Sequence, residues 1–236
     1  MTERFDKFKA SLAEKLPGFR VKYKDESTFM KIIGALLFFN KSFMTGFVTT
    51  IGYTVYLPTR SYTDRGSASI TLAHEYRHAK DASKITRILF SMLYLLPQLL
   101  AVPGILATLI LIPLLLFSVI FWSWWLLPLM LTSLFATPLP AYFRMKNEVN
   151  SYSMNLFMLN ELQKEHGVSE EDRRRTLSAS IGRYNNNFTG PGYYYMWPFG
   201  VKERLEENAD KILSGEILKD HEVYQEALDA LKESKS

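Results

Sequence analysis

Hydrophobic and polar positions divide the chain into distinct regimes. The first 25 residues, MTERFDKFKASLAEKLPGFRVKYKD, are charged throughout and lack the apolar run of a secretory signal. The N-terminus is therefore expected to stay in the cytoplasm. FMKIIGALLFF (29–39) is apolar but too short to span a bilayer, and reads as a core or interfacial helix. FMTGFVTTIGYTVYLP (43–58) alternates apolar and polar positions with many β-branched and aromatic residues, which predicts one or two short strands. A helix is predicted over TLAHEYRHAKD (71–81), with Ser67, Ser69 and Thr71 as candidate caps and Ile70, Leu72, Ala73, Tyr76 and Ala79 as its apolar positions. A second helix is predicted over AYFRMKNEVNSYSMNLFMLNEL (141–162), where Val149, Tyr152, Leu156 and Leu159 recur at helical spacing. From Val201 onward the pattern gives two charged amphipathic helices broken near Ser214 and Gly215. Nothing repeats at a period of 20 to 50 residues, so a solenoid is not indicated.

Between Arg87 and Arg144 lie 56 residues without Asp, Glu, Lys, Arg or His. One helix of that length would measure about 84 Å, against roughly 30 Å of hydrocarbon, whereas two crossings and a short turn fit. The turn is expected between Pro113 and Trp125, with Trp122, Trp124 and Trp125 at a headgroup interface. A soluble core this poor in charge would leave its helices no solvated face. Arg77, Lys80, Lys84 and Arg87 precede the block, and Arg144 and Lys146 follow it. The positive-inside rule then places both ends in the cytoplasm, as an even number of crossings requires. The expectation is an integral membrane protein with a two-helix hairpin and a site facing the cytoplasm.

Charge and cysteine content narrow the chemistry. The net charge is +4, with residues 1–87 carrying 15 Lys and Arg against 8 Asp and Glu. No base-stacking motif or Gly-rich phosphate loop accompanies the excess, so nucleic acid is not an expected partner and a lipid bilayer is. Cysteine is absent, which excludes disulfides, thiolate nucleophiles and Cys-ligated zinc, and leaves any metal to His and carboxylates.

Two of the four histidines, His74 and His78, flank Glu75 in HEYRH. Four residues apart on a helix, their side chains lie about 40° apart around the axis and can share one ion. Glu75 is placed to take a proton from water activated by the metal and to pass it to a leaving amine. A hydrolytic zinc site needs a third protein ligand, and the nearest acidic residue after the apolar block is Glu148. Asp81, three residues after His78, could orient a ligand imidazole. NNNFTGPGYYYMWPFG (185–200) reads as an aromatic loop, from which Tyr193, Tyr194 or Tyr195 could donate to an oxyanion. Arg77 and Arg183 are further candidates for that role. His166 and His221 lie among acidic residues and read as ordinary surface histidines.

HEYRH, an apolar block and then Glu148-Val149-Asn150-Ser151-Tyr152 resemble the gluzincin metallopeptidases, especially the integral-membrane HtpX/Ste24-type peptidases and the minigluzincins. The resemblance implies His74, His78 and Glu148 as ligands of one Zn2+ per chain, Glu75 as catalytic base, and an edge strand that pairs with an extended substrate. Tyr152 stands where the HtpX/Ste24 pattern has an aspartate that orients a ligand histidine. The implied fold is mainly α with a small β element (α+β), a minigluzincin-like zinc-helix core carrying an inserted transmembrane hairpin. Its parts are residues 1–87 with the strands and HExxH helix, 88–143 as hairpin, and 144–236 with the third-ligand helix and aromatic loop. The expected function is a membrane-anchored zinc endopeptidase acting on protein or peptide substrates. The alternative is a non-enzymatic membrane-anchored scaffold with an incidental metal site.

Overall fold

The charged N-terminal segment carries an apolar stripe: Phe5, Phe8 and Leu12 recur at three- and four-residue spacing, and α1 (Thr2–Lys15) buries all three. The structure is a computed structural model that describes residues 2–38, 40–121, 140–190, 196–216 and 221–235. After β1 (Arg20–Tyr23), α2 (Thr28–Leu36) begins at Ser27, whose hydroxyl accepts from the Met30 amide. β2 (Thr49–Ile51) and β3 (Thr54–Leu57) pair antiparallel through a turn at Gly52, where a φ of 62° favours a residue without Cβ. β1 joins β3 in parallel, so the sheet order is β1-β3-β2 and β2 lies on the outside. A 3-10 turn (Arg60–Asp64) leads into α3 (Ala68–Ser83), followed by α4 (Arg87–Phe121), α5 (Tyr142–Glu165), α6 (Glu170–Thr189), α7 (Val201–Ser214) and α8 (His221–Glu233).

α5 stands between two cores. Met154 and Met158 join α1, β3, α3 and α8 around Phe8, Leu57, Leu72 and Tyr224. Met145, Val149, Tyr152 and Leu156 join α6 and α7 around Ile181, Phe188 and Leu205. A helix buried on two faces has little amphipathic contrast, yet α5 keeps a polar stripe between them: Glu148, Ser151 and Asn155, all buried, at i, i+3 and i+7. That stripe meets α3, against which α5 packs most extensively, and Ala73, Ala79 and Ala82 keep the α3 surface low.

The uncharged block departs from expectation. Its first part is one helix, α4, which runs through Pro97, Pro103 and Pro113 to Phe121, so the described part of the expected turn zone, Pro113 to Phe121, is helical. Trp122, Trp124 and Trp125 lie outside the described residues. Among the described residues no helix is long and apolar enough to cross a membrane, which overturns the inserted transmembrane hairpin and the integral-membrane, cytoplasm-facing location. Lack of charge was a poor guide because the beginning of α4 is committed to the protein itself. Phe90 is buried, stacks on Tyr94 and meets Phe143 edge-on, and Tyr94 donates its hydroxyl to Glu148. Glu148 reaches the histidines because α5 lies directly along α3, with no need of paired crossings to return it.

Candidate metal centre

α3 holds His74 and His78 one turn apart on the face turned to α5, and α5 brings Glu148 to meet them. All three side chains are buried, with Glu148 only 2% exposed. Nε2 of His74 lies 3.6 Å from Oε2 of Glu148, and Nε2 of His78 lies 3.8 Å from Oε1. Both separations exceed a hydrogen bond. They approach the roughly 3.4 Å between ligand atoms that share an ion through bonds of about 2.1 Å at tetrahedral angles. Oε2 of Glu148 is moreover buried without a hydrogen-bond partner, an arrangement a cation would satisfy. His74, His78 and Glu148 thus form a group that could hold a metal ion, with one ligand atom from each within 4.8 Å of the others.

Electrostatics favour the ligating forms of two of the three groups. Burial alone would raise the Glu148 carboxyl, but His74, His78 and Arg144 outweigh it and hold the group well below its usual range. At His78 burial prevails over the carboxylates and keeps the ring below its ordinary value, hence neutral. At His74 burial acts in the same sense, yet Glu148 and Glu75 overcome it and lift the ring above its ordinary value.

Glu75 is half-buried and reaches the sheet with one carboxylate oxygen. Its Oε2 accepts from the Thr50 hydroxyl on β2 at 2.6 Å. Tyr94 closes the opposite side, its ring edge-on to His78 at 5.6 Å and beneath the Arg144 guanidinium at 5.0 Å.

The other sequence-derived candidates fall elsewhere. Asp81 accepts from Arg77 Nε at 3.0 Å and from Asn150 at 3.4 Å, and pairs with Lys84 at 3.3 Å, so its carboxylate is engaged away from the imidazoles. Arg77 is 1% exposed, with its guanidinium 5.8 Å from the Tyr224 ring in the α1-α8 core, and does not face the cluster. Arg183 is exposed and donates to Ser180 on its own helix. Tyr193, Tyr194 and Tyr195 lie outside the described residues. Tyr152 meets His74 through its ring, 5.0 Å away and edge-on, while its hydroxyl accepts from Asn187, so it does not replace the hydrogen-bonding aspartate of the HtpX/Ste24 pattern. His166 and His221 are exposed and apart from the cluster.

Sequence reasoning missed Thr50, Tyr94 and Ser151. Ser151 had a readable signal, a small polar residue one helical turn after Glu148, and its hydroxyl lies 3.2 Å from Nδ1 of His78. Tyr94 had none, being one hydroxyl in a long uncharged run. Comparison of the chain with known protein families, with curated proteins and with solved structures finds no match.

Proposed function

We propose that the protein is a zinc-dependent endopeptidase of the gluzincin type, holding one Zn2+ per chain through Nε2 of His74, Nε2 of His78 and Glu148. The observation that carries this reading is the pair of 3.6 and 3.8 Å separations between the imidazoles and a buried carboxylate that nothing else fully satisfies. Two imidazoles and one carboxylate are a donor set suited to zinc that leaves a coordination position open for chemistry. Zinc bound there supplies Lewis acidity toward a carbonyl oxygen and toward water.

The chain's own groups do the rest. Glu75 neighbours a ligand in sequence and keeps partial access to solvent. Thr50 fixes Oε2, which leaves Oε1 to accept a proton and return it to the departing amine. Thr50 belongs to β2, the outer strand, whose outer edge can pair with an extended peptide and bring a scissile bond past Glu75. Tyr94 and Arg144 flank Glu148 and favour the charged form of its carboxylate.

Cleavage of a fluorescently labelled unfolded protein tests the proposal. The wild type with Zn2+ should cleave it, and Glu75→Gln should retain zinc while losing cleavage by at least about 100-fold, the lower range for general-base catalysis. Full zinc loading with no cleavage by the wild type would instead support a metal-stabilised scaffold.

A further inference from the structure

In a metal site the imidazoles need their second nitrogens held, because the partner of Nδ1 selects the tautomer that leaves Nε2 free to bind. The aspartate of the HtpX/Ste24 pattern is absent, and neither Tyr152 nor Asp81 fills its place. The polar stripe of α5 continues past Glu148 to Ser151 and Asn155, four residues apart, and His74 and His78 on α3 have the same spacing. Ser151 is fully buried and meets Nδ1 of His78 at 3.2 Å.

The matching pair is His74 and Asn155. Nδ1 of His74, a donor when protonated, and Oδ1 of Asn155, an acceptor, are both buried and neither has a hydrogen-bond partner. Tyr152, which lies between Ser151 and Asn155 in sequence, has its ring edge-on to His74 at 5.0 Å, so this stretch of α5 runs beside that imidazole.

We infer that Ser151 and Asn155 are the positioning residues of the metal centre: Ser151 accepts the Nδ1 proton of His78, and the unmet Oδ1 of Asn155 takes that of His74 once an ion seats its Nε2. The inference rests on the zinc reading above. It makes the α5 stripe a single device, supplying one ligand and the supports of the other two from i, i+3 and i+7.

Zinc affinity, measured by competition with a chromophoric chelator, gives a readout independent of hydrolysis. Ser151→Ala and Asn155→Leu should each weaken Zn2+ binding about 10- to 100-fold, and Asn155→Asp, which keeps an acceptor oxygen, should bind at least within a few-fold of wild type. Imidazole 15N spectra of the metal-free protein at pH 8.5 should show the Nδ1-protonated tautomer at His78 in wild type and its loss in Ser151→Ala. A packing defect alone would not exchange tautomers or be rescued by Asp. If Asn155→Leu fails to fold, Ser151→Ala and the wild-type tautomers decide. Wild-type protein without zinc affinity would remove the metal reading itself. Wild-type affinity in Ser151→Ala and Asn155→Leu, with unchanged tautomers, would overturn the positioning role and leave the metal centre standing.

Discussion

Replacing Tyr94 by Phe removes one hydroxyl from the wall of the metal group and little else. The hydroxyl donates to Oε1 of Glu148, a carboxylate 2% exposed to solvent. Phe preserves the ring contacts with His78 at 5.6 Å, Phe90 at 5.8 Å and Arg144 at 5.0 Å, so the change is confined to the polar contacts of the hydroxyl with Glu148 and Arg144. A hydrogen bond to a charged group contributes about 1.5–3 kcal/mol, and a buried acceptor left unmet keeps its desolvation cost. The metal-free protein should lose that much unfolding free energy. At about 2–4 °C per kcal/mol for a chain of this size, the thermal midpoint should fall by roughly 3–12 °C. Urea denaturation in excess chelator, wild type against Tyr94→Phe, measures the difference without contribution from bound ion. A change below about 0.5 kcal/mol, the usual range of neutral surface substitutions, would refute the reasoning by showing that the hydroxyl is replaced at no cost.

Three further outcomes test other parts of the structure. Asp81→Asn should destabilise the fold by up to about 3–5 kcal/mol through loss of the buried pair with Arg77, while leaving zinc affinity near wild type; a large loss of affinity would restore Asp81 as a support of the ligands. Leu72→Ala, at a fully buried α3 position, should lower the unfolding free energy by about 2–5 kcal/mol in urea melts. Lys24 is buried with its Nζ on the Phe43 carbonyl at 2.7 Å, and burial lowers its pKa from 10.5 to about 8, with Glu75 opposing. Between about pH 8 and 10.5 the unfolded chain then binds more protons at this group than the folded one, so its contribution to stability rises with pH, by at most about 3 kcal/mol. The rise should be missing in Lys24→Met when urea midpoints are compared across that window, and an identical pH profile would remove Lys24 as its source.

The elements of the site were legible where local spacing carries the information. HEYRH on a helix and Glu148 near the start of the next charged helix followed from period and residue type, and the predicted strand region contains β2 and β3. β1 was not legible: RVKY sits in a charged stretch, and its parallel pairing with β3 spans more than 30 residues of sequence that no local pattern records. α1 was hidden in a different way, because its charges masked the Phe5, Phe8 and Leu12 stripe. The uncharged block failed as a guide since hydropathy reports transfer from water, whether into lipid or against protein, and Phe90 and Tyr94 are spent on the latter. The apolar segment 29–39 is helical through Leu36 in α2, as expected, with Met30 buried and Phe29, Ile32 and Leu36 exposed.

Metal content per chain tests the central claim most directly. Protein exposed to excess Zn2+ and then gel-filtered should carry one zinc per chain as wild type, and His74→Ala and Glu148→Ala should carry almost none while keeping wild-type helicity. Wild-type protein that emerges without zinc, or Glu148→Ala that retains a full equivalent, would contradict the assignment of these three side chains to one ion.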